Sequence, residues 1–147
     1  MPLLTLNQAS IVVDTALAKG RETKCAPLAV AVLDAGGHLK ALKREDQTGI
    51  LRNDIAIGKA WGALGMGFGS RALNKRAADN PVFFNALSDL AGGKMVPNPG
   101  GVLIRDPSTN EILGAVGISG DTSDKDEACC VAGIEKAGLK ADTGASS

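Results

Sequence analysis

The 147-residue chain has one histidine, His38, directly after a glycine pair in the stretch Val32 to Asp46, VLDAGGHLKALKRED. Imidazole titrates near neutral pH and offers a neutral ring nitrogen to a metal, so His38 is the first candidate for proton transfer or metal ligation. Gly36 and Gly37 are turn residues that leave room for a flat ligand beside the ring. Nothing in turn chemistry demands a histidine after them. Arg44 follows with Glu45 and Asp46, and Arg52 stands before Asp54. Two guanidinium groups near a glycine-rich turn suit bidentate capture of a carboxylate, and the alternative is a solvated loop with an ion pair at a helix start.

A second glycine pair, Gly100 and Gly101 in NPGG, exposes backbone N–H groups, and Ser119-Gly120-Asp121 precedes a helix start that attracts anions. Together the two turns could cradle a carboxylate or phosphate, although Asp121, Asp124, Asp126 and Glu127 place negative charge in the same stretch. Asp124 and Glu127 share a helix face at a spacing that fits a cation but is also explained by the helix dipole. Cys25, Cys129 and Cys130 form no CxxC pair and read as small buried hydrophobes. The chain has no P-loop, nucleophile elbow or HExxH. Trp61 and Phe83-Phe84 read as core or subunit contacts.

These residues sit on a recognisable order of elements. Thr5 and Gln8 form a capping box ahead of an amphipathic helix, which Gly20 is expected to fray or end. Pro27 to Asp34 is a buried strand, Asp34 to Gly37 a turn, and Leu39 to Arg44 the return strand. Ile50 to Met66 is helical, and Gly65 to Gly69 breaks it. Ser70 caps a short helix and Pro81 starts another. Val102 to Arg105 and Ile112 to Ser119 are strands, the second containing Gly114 and Gly117, where something must pack close to the backbone. Asp121, Thr122 and Ser123 are caps for a closing helix that ends near Lys136. Strands in antiparallel pairs between helices predict an α+β fold, not a doubly wound one. The expected organisation is one domain over 1–140 and a disordered tail over 141–147.

Composition narrows the function. Sixteen basic and sixteen acidic residues balance, so nothing favours nucleic acid or an anionic membrane. Near-neutrality is compatible with self-association. MPLLTLNQAS lacks a basic region followed by a long apolar run, and no stretch is long enough to span a membrane, so a cytoplasmic address is expected.

VAVLDAGGHLKALKRED, RNDIAIGKAWGAL, NPGGVLI and LGAVGISGDTSDKDEACCVAGI, spread over Leu3 to Leu139, resemble the GlcG/HbpS family of haem-binding-like proteins, related to the trailing domain of corrinoid adenosyltransferases. The resemblance implies a profilin-like α+β domain, a central antiparallel β-sheet flanked by α-helices. It also implies homo-oligomers, from dimers to octamers, and in many members a place in a catabolic operon. Its ligand is haem or another tetrapyrrole in some members. Some haem-binding relatives use a histidine on the first helix; this chain has none there, which leaves His38 as the only nitrogen donor, with an oxygen, a thiolate, Met66 or Met95 as the other options.

The leading expectation is a small-ligand protein in which His38, Gly36, Gly37, Gly100 and Gly101 hold the cofactor and His38 is the metal ligand. The alternative is an isomerase, hydrolase or lyase acting on a small carboxylated intermediate, with His38 as acid–base group and Arg44 or Arg52 holding the carboxylate. A third reading is an accessory subunit of a neighbouring enzyme.

Overall fold

The computed structural model describes residues 3–145. Helix α1 (Leu6–Glu22) is followed by the hairpin β1 (Ala29–Asp34) and β2 (Leu39–Arg44). Helices α2 (Arg52–Met66), α3 (Ser70–Asp79) and α4 (Pro81–Leu90) come next. The second hairpin is β3 (Gly101–Arg105) and β4 (Ile112–Ser119), and α5 (Ser123–Lys136) and β5 (Lys140–Asp142) close the chain. The five strands form one antiparallel sheet in the order β2-β1-β4-β3-β5.

Alternation along the strands builds two cores. Val30, Val32, Val116 and Ile118 face α1 and α5, where they meet Val12, Cys130 and Ile134. Ala29, Ala31 and Leu33 face the other way, onto Ala56, Ala60 and Ala63 of α2. Each fully buried Val, Leu or Ile contributes about 1.5–3 kcal/mol. The α2 layer is instead built on proximity. A Cβ on Gly117 would stand 1.8 Å from the Ala56 carbonyl oxygen, and one on Gly101 2.3 Å from that of Lys59. Gly101 and Gly117 therefore mark where a helix backbone lies directly on the sheet.

The capping box forms: the Thr5 hydroxyl accepts from the Gln8 N–H and the Gln8 side chain from the Thr5 N–H, both at 3.0 Å. Three local expectations are corrected. Gly20 does not end α1, which runs to Glu22; it is buried, and a Cβ there would lie 2.5 Å from the Leu28 side chain. Ser70 does not cap α3. Its hydroxyl is turned inward and accepts from the Gly101 N–H at 2.7 Å, tying α3 to β3. Ala141 and Asp142, assigned to a tail by their small polar neighbours, pair with Ile104 and Leu103 in β5. The strand is pinned by Arg105, whose Nε donates to Asp142 at 2.9 Å. Ser146 and Ser147 of that tail lie outside the described residues.

Candidate functional site

The β1–β2 turn carries His38. The Asp34 carboxylate folds back over it and accepts from the N–H groups of Gly36 at 2.9 Å and His38 at 3.0 Å. These backbone donors, that of His38 foremost, hold the Asp34 carboxyl below its ordinary range. Gly37 has φ +83°, a conformation that excludes most side chains. A Cβ at Gly36 would meet the imidazole at 2.9 Å, so the ring lies where only glycine leaves it space.

Asp34 also sets the chemistry of the ring. His38 Nδ1 lies 3.3 Å from Asp34 Oδ1, and the side chain is 82% exposed. An acceptor facing Nδ1 favours a proton on that nitrogen and leaves the Nε2 lone pair directed away from the turn. The ring borders a cleft of about 490 Å³ lined by Leu3, Leu4, Leu113, Asp34, Gly36 and Lys40, among others. It is apolar on the Leu3–Leu113 side and cationic at Lys40. The cleft therefore offers one imidazole donor, an apolar wall and one ammonium group.

The other predicted residues lie elsewhere. Asp34 pairs with Gly114 and Ala29 pairs with both Ser119 and Arg44, so His38 and Arg44 occupy opposite ends of the sheet. Six residues of extended chain separate them, about 20 Å. Arg52, at the Arg44 end, donates from Nη1 to the Ser119 hydroxyl at 3.0 Å. Within one chain His38 therefore cannot act on a small carboxylate held by Arg44 or Arg52, and the acid–base constellation of the alternative reading is corrected on that ground. Arg44 itself is exposed and lines a cleft of about 430 Å³ with Arg21, Pro27, Glu45 and Asp46.

The two glycine turns do meet, at the Arg52 end: the Ile118 N–H donates to the Gly100 carbonyl at 2.9 Å. They form no open cradle. Gly101 donates to Ser70, the Asp121 N–H to Asp126 at 3.1 Å and the Thr122 N–H to Asp121 at 2.7 Å. Gly100 and Gly101 are buried against Lys59. Their expected cofactor role is thus corrected: they let α2 and Lys59 approach the sheet. The Asp124–Glu127 pair is likewise engaged, by the guanidinium of Arg71 on α3.

The sequence reading missed a buried ion pair at this end. Lys59 Nζ, from α2 on one face, donates to the Ile118 carbonyl at 2.9 Å and to Asp126, from α5 on the other face, at 3.3 Å. The two side chains are 5% and 1% exposed. Burial pushes the Asp126 carboxyl up and Lys59 opposes that rise. A lysine among alanines and glycines in a core-facing helix stripe was the available signal. All three cysteines are buried, as expected. Among the described residues no group of three or more His, Cys, Asp or Glu side chains is arranged to hold a metal ion.

An antiparallel sheet between helical layers defines a small α+β domain, and comparison gives its family. The family model described as haem degrading protein HbpS-like matches residues 4–135, and the chain belongs to that family. Among solved structures, the PduOC:haem complex superposes with a TM-score of 0.85 at 20% identity, over 95% of this chain and 98% of that one. A double mutant of HbpS from Streptomyces reticuli gives 0.79 at 25% identity, over 92% and 87%. Klebsiella pneumoniae protein ORFY gives 0.81 at 22%, over 91% and 90%. No curated protein matches the sequence.

Proposed function

We propose that the protein binds haem or a related tetrapyrrole at the hairpin-tip cleft, where His38 Nε2 would be the residue that holds the iron. The Asp34–His38 pair carries this reading: a carboxylate 3.3 Å from Nδ1 leaves Nε2 as the exposed nitrogen free to ligate. Gly36 and Gly37 clear the space beside the ring, Leu3 and Leu113 supply an apolar wall, and Lys40 supplies a cation for a propionate. The residues present therefore fit the group. When bound, haem iron supplies one-electron and oxygen chemistry; the chain's own part is to ligate, orient and cover. The family assignment and the haem held by the structurally similar PduOC support the choice of ligand.

The same reading includes a homo-oligomer of cytoplasmic address. The oligomer is supported by the exposed apolar side chains Ile50, Leu51, Val82 and Phe83, which are more than half accessible in the single chain. Light scattering checks this: the expected mass is a multiple of 14.9 kDa.

The test of the site is a haemin titration followed by Soret absorbance on wild type, His38→Ala and Asp34→Asn. A saturable band is expected in wild type and none in His38→Ala. Asp34→Asn should weaken binding by about 10- to 100-fold, as loss of the partner that orients a ligand does. An equal, saturable response in His38→Ala overturns the assignment.

A further inference from the structure

Trp61 is the only tryptophan of the chain, and its ring stands between two parts of the fold. One edge lies 3.4 Å from where a Cβ of Gly37 would be. The Lys94 ammonium stands over its face, 5.7 Å from the centroid. Lys94 belongs to the loop from Ala91 to Gly100, which folds back along α2. Gly58 and Gly62, one helical turn apart, form the notch that admits it. The Val96 N–H donates to the Gly58 carbonyl at 3.2 Å, and a Cβ at Gly62 would lie 2.6 Å from Met95 Cγ. The loop is therefore held at one height on the helix.

Between this loop, α4 and the C-terminal half of α2 is a cleft of about 180 Å³. Its walls are Trp61, Met66, Leu87, Leu90 and Met95. Gly65, itself exposed, also borders it, and a Cβ there would stand in open space with no neighbour within 4 Å. A dry cavity of roughly 150 Å³ accommodates benzene, so this volume suits a single six-membered ring or a short branched alkyl group. Beside the cleft, the exposed Lys94, next in sequence to the wall residue Met95 and over the ring of Trp61, has no carboxylate within 4.0 Å among the described residues. An apolar slot of one ring's volume beside an uncompensated ammonium is complementary to an amphipathic anion.

We propose that this cleft binds a small apolar carboxylate, its ring or branched alkyl group against Trp61 and Met95 and its carboxylate at Lys94. The site is separate from the His38 cleft and does not depend on the haem reading. It assigns functions to Lys94 and to the absence of a side chain at Gly65 that the fold alone does not require.

The test uses benzoate as probe and benzamide as its uncharged counterpart, read by Trp61 fluorescence on the full chain. Wild type should give a saturable change with benzoate and a weaker one with benzamide. Gly65→Leu places a bulky side chain of a better helix former at the cleft and should lose the response while its circular dichroism stays native. Lys94→Gln should weaken benzoate by about two- to fivefold, the range for an exposed ion pair, and abolish the preference over benzamide. The methyl resonances of Met66 and Met95 should shift with benzoate in wild type, a readout that needs no variant to fold. Absence of saturation together with unmoved methionine resonances overturns the proposal. So does undiminished binding in folded Gly65→Leu, or equal affinity for benzoate and benzamide.

Discussion

Replacing Lys59 by methionine should be among the most damaging single changes in the chain. Methionine keeps most of the volume and removes the ammonium, which is hydrogen-bonded to the Ile118 carbonyl and to Asp126. Asp126 is then a carboxylate with a 1% exposed side chain whose one remaining donor among the described residues is the Asp121 N–H. Breaking a buried pair in this way costs about 3–5 kcal/mol, against a total stability of about 5–15 kcal/mol for a domain. With a urea m-value of about 2 kcal/mol/M, the denaturation midpoint should fall by about 2 M. The loss should also depend on pH. Burial already raises the Asp126 carboxyl above its ordinary value and Lys59 opposes that; without Lys59 it rises further. Between the unfolded and the raised folded pKa the native state binds the extra proton, so the variant loses stability as pH increases through that window. Urea unfolding at pH 5 and pH 7 should therefore show the larger deficit at pH 7. Lys59→Met combined with Asp126→Asn keeps an acceptor for the Asp121 N–H and should recover at least half of the loss. A deficit under about 1 kcal/mol at pH 7, or one independent of pH, would refute the view that this pair locks the two helical layers together.

Gly117→Ala places a Cβ 1.8 Å from the Ala56 carbonyl oxygen, a backbone atom that cannot swing aside; a loss of about 1–3 kcal/mol or more is expected in thermal or urea unfolding, with α2 amide exchange accelerated. His38→Ala, at a side chain that is 82% exposed, should change stability by no more than about 0.5 kcal/mol, so any loss of haem binding reports on the site and not on the fold. Burial, then Cys25, pushes the Cys129 thiol up to about 12, and burial raises Cys130 as well. These thiols should stay unreactive to a disulfide reagent at pH 8 until the protein unfolds. The sign for stability follows: the unfolded thiols ionise first, so their contribution is intact below about pH 9 and is lost as pH rises toward 12.

Local chemistry was legible in the sequence because it depends on neighbours a few residues away. The Thr5–Gln8 capping box, the turn after Asp34, the start of α4 at Pro81 and the apolar runs of β1 and β4 all form as their residues dictate. The family followed from motifs spread along the chain, and with it the α+β architecture. Gly114 and Gly117 announced that something lies close to β4, but not that at Gly117 it is the backbone of α2 and at Gly114 that of β1 at Leu33. Only the tertiary structure decided which distant residues share a site. Sheet register sends His38 to one end and Arg44 and Arg52 to the other, which no spacing along the chain can reveal. The same register buries Gly100 and Gly101 under Lys59 and pairs that lysine with Asp126, 67 positions away. Helix and turn signals are short-range, whereas the meeting of two ends of a chain is set by the packing of layers, and there a glycine is as often room for a neighbour's backbone as room for a ligand.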